Sequence, residues 1–322
     1  MTAAFAHPVT LGIVVAVAAV LALAAAAIGA LSLLGRGTPE LRRELWLRLF
    51  SWCWLLPLMI APVLAGRIPT IAAVSILSLL CWREFARATG AFRERLLSAV
   101  LVLGILLQNF AALDNWYGLF VALPSLSACV IMVATIPQDR PAGYIQRTAL
   151  ALAGFMLFGF GLAHLGFMAN APDYRPIVLM LLLTVALSDV AAFTFGKLIG
   201  GAKLIPVTSP GKTRSGALGA LLTTMAVVAL LSSVTFAGTG LDRVHWLVLL
   251  GLLVGLAAQA GDLVLSSIKR DLGIKDIGAA LPGHGGVLDR FNSLLLVAPA
   301  AFHFIQYFVG FGIGQPARLI TG

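Results

Sequence analysis

The sequence predicts an all-α fold, a polytopic transmembrane helical bundle of about ten spans. Three observations predict it. First, 60% of the 322 residues are hydrophobic and only 11% are charged, with a mean hydropathy of +1.00, whereas soluble domains carry about 25% charged residues. Second, apolar stretches of roughly 20 residues, the length that crosses a hydrocarbon core, recur along the whole chain. Third, the basic residues gather in alternate loops, as the positive-inside bias requires.

The first span, 9–34, is Ala-rich. No Lys or Arg precedes it and it is too long for the apolar core of a leader, so it is read as a span rather than a cleaved signal. The second, 46–65, follows the basic run Arg36, Arg42, Arg43 and Arg48. The third, 68–82, is short and is followed by Arg83, Arg87, Arg93 and Arg95. The fourth and fifth, 96–113 and 116–136, lead to Arg140 and Arg147. The sixth and seventh, 147–168 and 176–197, lead to Lys197, Lys203, Lys212 and Arg214. The eighth and ninth, 215–237 and 244–265, lead to Lys269, Arg270, Lys275 and Arg290, and the tenth is 288–312.

Of the 22 basic residues, only Arg67, Arg175, Arg243 and Arg318 fall on the other side. That split places the N-terminus outside and the polar loops in the cytoplasm, as in a bacterial inner membrane. It also accounts for the net charge of +9 without nucleic acid, since aromatic residues do not alternate with the basic clusters. Cys53, Cys81 and Cys129 form no CxxC pair and read as buried hydrophobes. Residues 1–170 read as a transmembrane scaffold, and residues 171–322 as the region that carries chemistry.

Two polar islands interrupt the second region, at 198–214 and 266–287. Three carboxylates flank them within or beside apolar spans: Asp189, Asp262 and Asp289. A charge in the hydrocarbon region costs several kcal/mol by most scales, about 2.5–3.5 on insertion scales, so such residues face polar cavities. Asp262 and Asp289 fall near the same ends of two spans joined by one loop, so a shared hard cation is expected. Magnesium (Mg2+) takes one or two carboxylates and completes its shell with water and phosphate. Lys269, Arg270 and Lys275, with the run Pro282-Gly283-His284-Gly285-Gly286, suit phosphate, because glycines let backbone N–H groups crowd an anion. The other island, Ser209-Pro210-Gly211-Lys212-Thr213, is not a P-loop, since Pro206 stands where the pattern needs glycine. Lys212 remains a candidate phosphate ligand. His7, His164, His245 and His303 read as interfacial or packed residues, and no Ser/His/Asp or Cys/His set supports a covalent mechanism.

The stretch from Ser266 to Ser293 closely resembles the signature of the phosphatidate cytidylyltransferase (CDP-diacylglycerol synthase) family. The matching residues are Ser266, Lys269-Arg270, Lys275-Asp276, Pro282 to Gly286, and Asp289-Arg290. Ser188-Asp189, Gly196, Lys203-Leu204, Ser209 to Thr213, Gly216, Gly219 and Gly261-Asp262 are similar to further family stretches, with a fainter match near Glu84. The resemblance implies transfer of CMP from CTP to phosphatidic acid, with release of pyrophosphate. Asp262, Asp289, Lys269 and Arg270 would be catalytic, and Asp262, Asp289 and Asp189 would hold Mg2+. Ser209, Lys212, Thr213, Ser266, Lys275, Asp276, His284, Gly285, Gly286 and Arg290 would bind substrate. The implied partners are CTP, phosphatidic acid and membrane lipids, with homodimerisation left open. Three positions depart from the family pattern, each by the loss of an acid: Asn292, Leu265 and Ser215. They leave open fewer metal sites, another lipid-phosphate acceptor or low activity; the alternative readings are a CTP-dependent lipid kinase and a noncatalytic or transport relative.

Overall fold

The computed structural model describes residues 4–35, 38–279, 285–311 and 318–322. Among the described residues it is all-α apart from one short hairpin. Among the described residues, nine helices are long and apolar enough to cross a membrane, which makes the chain a multi-pass integral membrane protein.

The first helix, α1 (Pro8–Leu33), starts with proline at its first turn, where no N–H is needed, and the His7 side chain accepts from the Val9 N–H. The second, α2 (Pro39–Ala65), repeats the device with Thr38 as its cap and Glu40 in the first turn. It therefore begins seven residues before the predicted start at 46. The third, α3 (Arg67–Thr89), is also longer than predicted and ends at Gly90 in a left-handed conformation. Its charged last turns looked like loop, yet Trp82, Phe85 and Ala86 are buried there, and Phe85 packs edge-on against Phe158 at 5.3 Å. This extension carries Glu84 to the polar end of the bundle.

Next come α4 (Arg95–Leu113) and α5 (Tyr117–Ala134). The predicted sixth span is α6 (Tyr144–Gly154) and α7 (Leu162–Met168), joined without a break by a π-helical segment, Phe155–Gly161. Phe120, Phe160 and Phe302 surround the His164 ring. His164 is fully buried, with its Nε2 3.3 Å from Nε2 of His303. It is a packed residue of the interior rather than an interfacial one.

The seventh to ninth spans are α8 (Tyr174–Leu198), α9 (Arg214–Thr235) and α10 (Val244–Asp271). Between α8 and α9 lies an antiparallel hairpin, β1 (Lys203–Ile205) and β2 (Ser209–Thr213), which pairs Lys203 with Thr213 and Ile205 with Ser209. The strand β2 runs straight into α9, and the Thr213 hydroxyl caps that helix by accepting from the Gly216 N–H at 3.1 Å. The helices α8 and α9 pack with their backbones almost touching. A Cβ at Gly216 would lie 2.5 Å from the Ala192 carbonyl oxygen, so only glycine permits this approach.

The predicted tenth span is not one helix. It consists of α11 (Val287–Phe291) and α12 (Leu294–Val309), separated at Asn292-Ser293. The break is packed against α10, where a Cβ on Gly261 would meet the Asn292 carbonyl oxygen at 2.7 Å. At the opposite end of the bundle, Asp114 has no exposed surface. It accepts from the Ile320 N–H at 2.6 Å and the Thr321 hydroxyl at 2.5 Å, which ties residues 319–321 to the α4–α5 turn.

Candidate active site

The polar end of the bundle is built where the last two turns of α10 run beside α11. Along α10, Asp262, Ser266 and Lys269 follow at i, i+4 and i+7 and so share a face. Asp262 and Lys269 are separated by about 10 Å of helix rise. Each meets a residue of the opposing segment, and these contacts form two rungs.

The first rung joins Lys269 to Asp289, with Nζ 2.9 Å from Oδ1. The other oxygen of Asp289 accepts backbone N–H groups from Ile277 at 2.9 Å, Gly286 at 3.1 Å and Gly278 at 3.4 Å. The Asp289 side chain is only 3% exposed. It is therefore a knot that gathers the loop after α10 onto the start of α11. Glu84, arriving on α3, ties the same region from the other side. Its two oxygens accept the N–H groups of Val287 at 3.0 Å and Leu288 at 2.8 Å, which are free donors at the start of a helix. Gly278 and Gly286 leave room for it: a Cβ on either would come within 2.5 Å of the Glu84 carboxylate.

The second rung holds Asp262. Asn292 donates from Nδ2 to its Oδ1 at 2.6 Å, and Lys212, from β2, forms an ion pair with its Oδ2. The Asn292 amide is oriented by its own Oδ1, which accepts the Ser293 N–H at 2.8 Å. Asp189 on α8 faces the same small cavity, of about 50 Å3, together with Ser188, Lys212, Thr213, Gln259 and Asp262. Its carboxylate feels the charges of Asp262, Lys212 and Arg290.

The expected site residues therefore divide. Asp189, Lys212, Thr213 and Asp262 share one cavity. Lys269, Asp289 and Gly286 form the adjoining knot, beside Gly285, where a Cβ would contact both Asp276 and Asp289. Ser266 is buried on α10 between the two rungs. Ser209 is paired with Ile205 in the hairpin. Arg270 donates to the backbone carbonyls of Thr208 at 3.3 Å and Ile274 at 3.2 Å, so it braces the hairpin against the end of α10. Lys275, Asp276 and Arg290 are exposed. His284, Pro282 and Gly283 lie outside the described residues.

Asp262 and Asp289, expected to face one cation, sit in separate networks, and Asp189 is the second carboxylate on the Asp262 cavity. Among the described residues, no three His, Cys, Asp or Glu side chains converge as a metal cage. Two carboxylates on one cavity do fit magnesium, which takes one or two protein carboxylates and fills its shell from phosphate and water. Glu84 and Asn292 are the two site residues that motif reading did not place. The sequence signals for Glu84 were its place just beyond an apolar span and a faint family match around it. Asn292 was visible only as a departure from an expected acid.

Comparison with known proteins identifies the family. The profile of the "Cytidylyltransferase family" matches residues 46–308. A relative from Escherichia coli K12, the uncharacterized protein YnbB, is 32% identical over 271 residues, covering 82% of this chain and 88% of the relative. The phosphatidate cytidylyltransferase of Staphylococcus saprophyticus is 38% identical over 232 residues, covering 62% of this chain and 87% of that protein. The phosphatidate cytidylyltransferase of Staphylococcus haemolyticus is 41% identical over 159 residues, covering 48% and 59%. The family match takes in every element that brings a residue to the polar end, from Glu84 on α3 to Asn292 beyond α11, and the chain belongs to the Cytidylyltransferase family.

Proposed function

We propose that this protein transfers the cytidylyl group of CTP to phosphatidic acid, forming CDP-diacylglycerol and pyrophosphate. The observation that carries the reading is the cavity in which Asp189, Asp262 and Lys212 meet at one end of a membrane bundle. Two acids and a lysine at that depth suit a polyphosphate, with its cation, brought to a lipid headgroup. The relatives named as phosphatidate cytidylyltransferases support the choice of acceptor.

A phosphate oxygen of phosphatidic acid attacks the α-phosphorus of CTP. The bond from that phosphorus to the bridging oxygen breaks, and its electron pair leaves with pyrophosphate. The attacking oxygen is already an anion, so no general base is needed. Catalysis is then positioning and charge neutralisation. Lys212 leaves Asp262 for the triphosphate, and Lys269 and Arg270 line the approach. Asp189 and Asp262 would hold Mg2+, which when bound supplies Lewis-acid stabilisation of the phosphoryl oxygens. Asp289 keeps the loop backbone in place. The predicted orientation puts this end in the cytoplasm, where CTP is supplied.

The test is labelled CTP given to purified protein with a panel of lipid phosphates. Magnesium-dependent pyrophosphate release is expected only with phosphatidate, with the label recovered in CDP-diacylglycerol. Asp262→Asn is expected to lower the rate by about 100- to 1,000-fold, the usual loss when one preorganised electrostatic group is removed, with the protein still folded. Release of CDP would instead mark a lipid kinase, and turnover with another lipid phosphate alone would move the acceptor. Asn292 favours keeping that second reading in the panel, because it places an amide against Asp262 where the resemblance leads one to expect an acid.

A further inference from the structure

Between α2, α3 and α8 lies an apolar cavity of about 570 Å3. It starts near Pro69 and Thr70, at the beginning of α3, and ends against Val287, Phe291 and Leu294. A second cavity, of about 160 Å3, adjoins it, and Leu55, Met59, Leu182, Phe291 and Leu294 line both. The far side of that second space is polar and carries Asp189, Asp289 and Arg290. Asp189 in turn lines the catalytic cavity with Lys212 and Asp262. Three spaces thus lie side by side with shared walls, grading from almost wholly apolar through mixed to charged. A crevice filled only by bulk bilayer would have no reason to lead to ionised side chains, whereas an amphiphile needs such a gradient.

We propose that the large cavity is the binding site for one acyl chain of the lipid substrate. The mixed cavity then passes the glycerol linkage, and its polar wall presents the lipid phosphate to the Asp189–Asp262 cavity. The proposal rests on the lipid-phosphate reading above and adds where the tail lies. At roughly 30 Å3 for a methylene-sized group, comparable to a water molecule, the cavity has room for a chain on the order of twenty carbons. Lipid tails are as apolar as leucine, so moving a tail from bilayer to protein yields little hydrophobic gain. The cavity contributes orientation: a seated tail holds the reacting phosphate in line, and misplacement by about 1 Å costs on the order of 100-fold in rate. Phe291, between Arg290 and Asn292, sits on both cavities and separates tail from headgroup.

The first test uses the unaltered, full-length protein in nanodiscs with a phosphatidate bearing a diazirine at the end of one chain. Photolabel mapped by mass spectrometry is expected within residues 55–80 and 178–182. Unlabelled phosphatidate is expected to displace it at least about tenfold better than phosphatidylcholine. Label spread over all lipid-facing helices, or displaced equally by both lipids, overturns the proposal. The second test is Ala73→Trp, which fills the cavity from α3, with Ala61→Trp from α2 if the first variant does not fold. Transfer to dipalmitoyl phosphatidate is expected to fall more than about tenfold, and transfer to dihexanoyl phosphatidate by less than about threefold, as loss of tail orientation predicts. Equal losses with both chains also overturn it. If unaltered protein transfers to no phosphatidate, the acceptor reading fails alone, and the map of the photolabel still decides the cavity.

Discussion

At the residue scale, Asp262 and Asn292 define what is particular to this site. The Asn292 amide gives Asp262 a neutral donor at 2.6 Å, where a carboxylate would add a second negative charge and a second cation ligand. Asn292→Asp is therefore expected to lower the magnesium concentration for half-maximal activity several-fold, because like charges in contact are relieved by a shared divalent ion. A magnesium titration of the two proteins reads this directly, and an unchanged midpoint would count against a cation at Asp262. Glu84 acts on the same end without touching the cavity. Replacing it with Gln leaves one acceptor for two backbone N–H groups and turns an amide NH2 toward the other. The expected cost is about 1–3 kcal/mol, that of an unsatisfied buried donor. Thermal unfolding measures it, together with faster tryptic cleavage after Lys275.

At the element scale, the position of Lys212 depends on how closely α8 and α9 approach. The cap at Thr213 joins β2 to α9, so Lys212 moves with the first turn of that helix. Gly216→Ala puts a methyl 2.5 Å from the Ala192 carbonyl oxygen and must push the helices apart. The variant is expected to lose about 1–3 kcal/mol, the usual cost of overpacking, and to lose cytidylyl transfer through displacement of Lys212. Gly211→Ala is the control, since a Cβ there meets nothing within 4 Å. It is expected to leave thermal stability unchanged, which the same unfolding experiment checks.

At the scale of the whole molecule, every charged element of the site is gathered at one end of the bundle, and the basic loops predict that this end faces the cytoplasm. Val207, at the tip of the hairpin, is 86% exposed and lies away from the cavity lining. Val207→Cys is expected to react with a membrane-impermeant maleimide in inverted vesicles but not in intact spheroplasts, with the unaltered chain as background. Labelling from the outer face would reverse the orientation.

The sequence alone determined the membrane class, the approximate number of spans and the family resemblance, because each is written in local composition or contiguous residues. Apolar runs long enough to cross a bilayer need no partner to be recognised. The Ser266–Ser293 stretch likewise kept its charges and glycines in linear order. Span ends were less legible: α3 continues through Arg83, Glu84 and Arg87 because one face of a charged turn can still pack Trp82 and Phe85. Only the tertiary structure decided which acids face one another. Asp289 spends its oxygens on Lys269 and three backbone N–H groups, while Asp189, 73 residues before Asp262 in the chain, shares the cavity with it. That partition depends on the broken helix at Asn292-Ser293 and the close packing at Gly261 and Gly216. Both are contacts between distant segments, which no pattern of neighbours along the chain encodes.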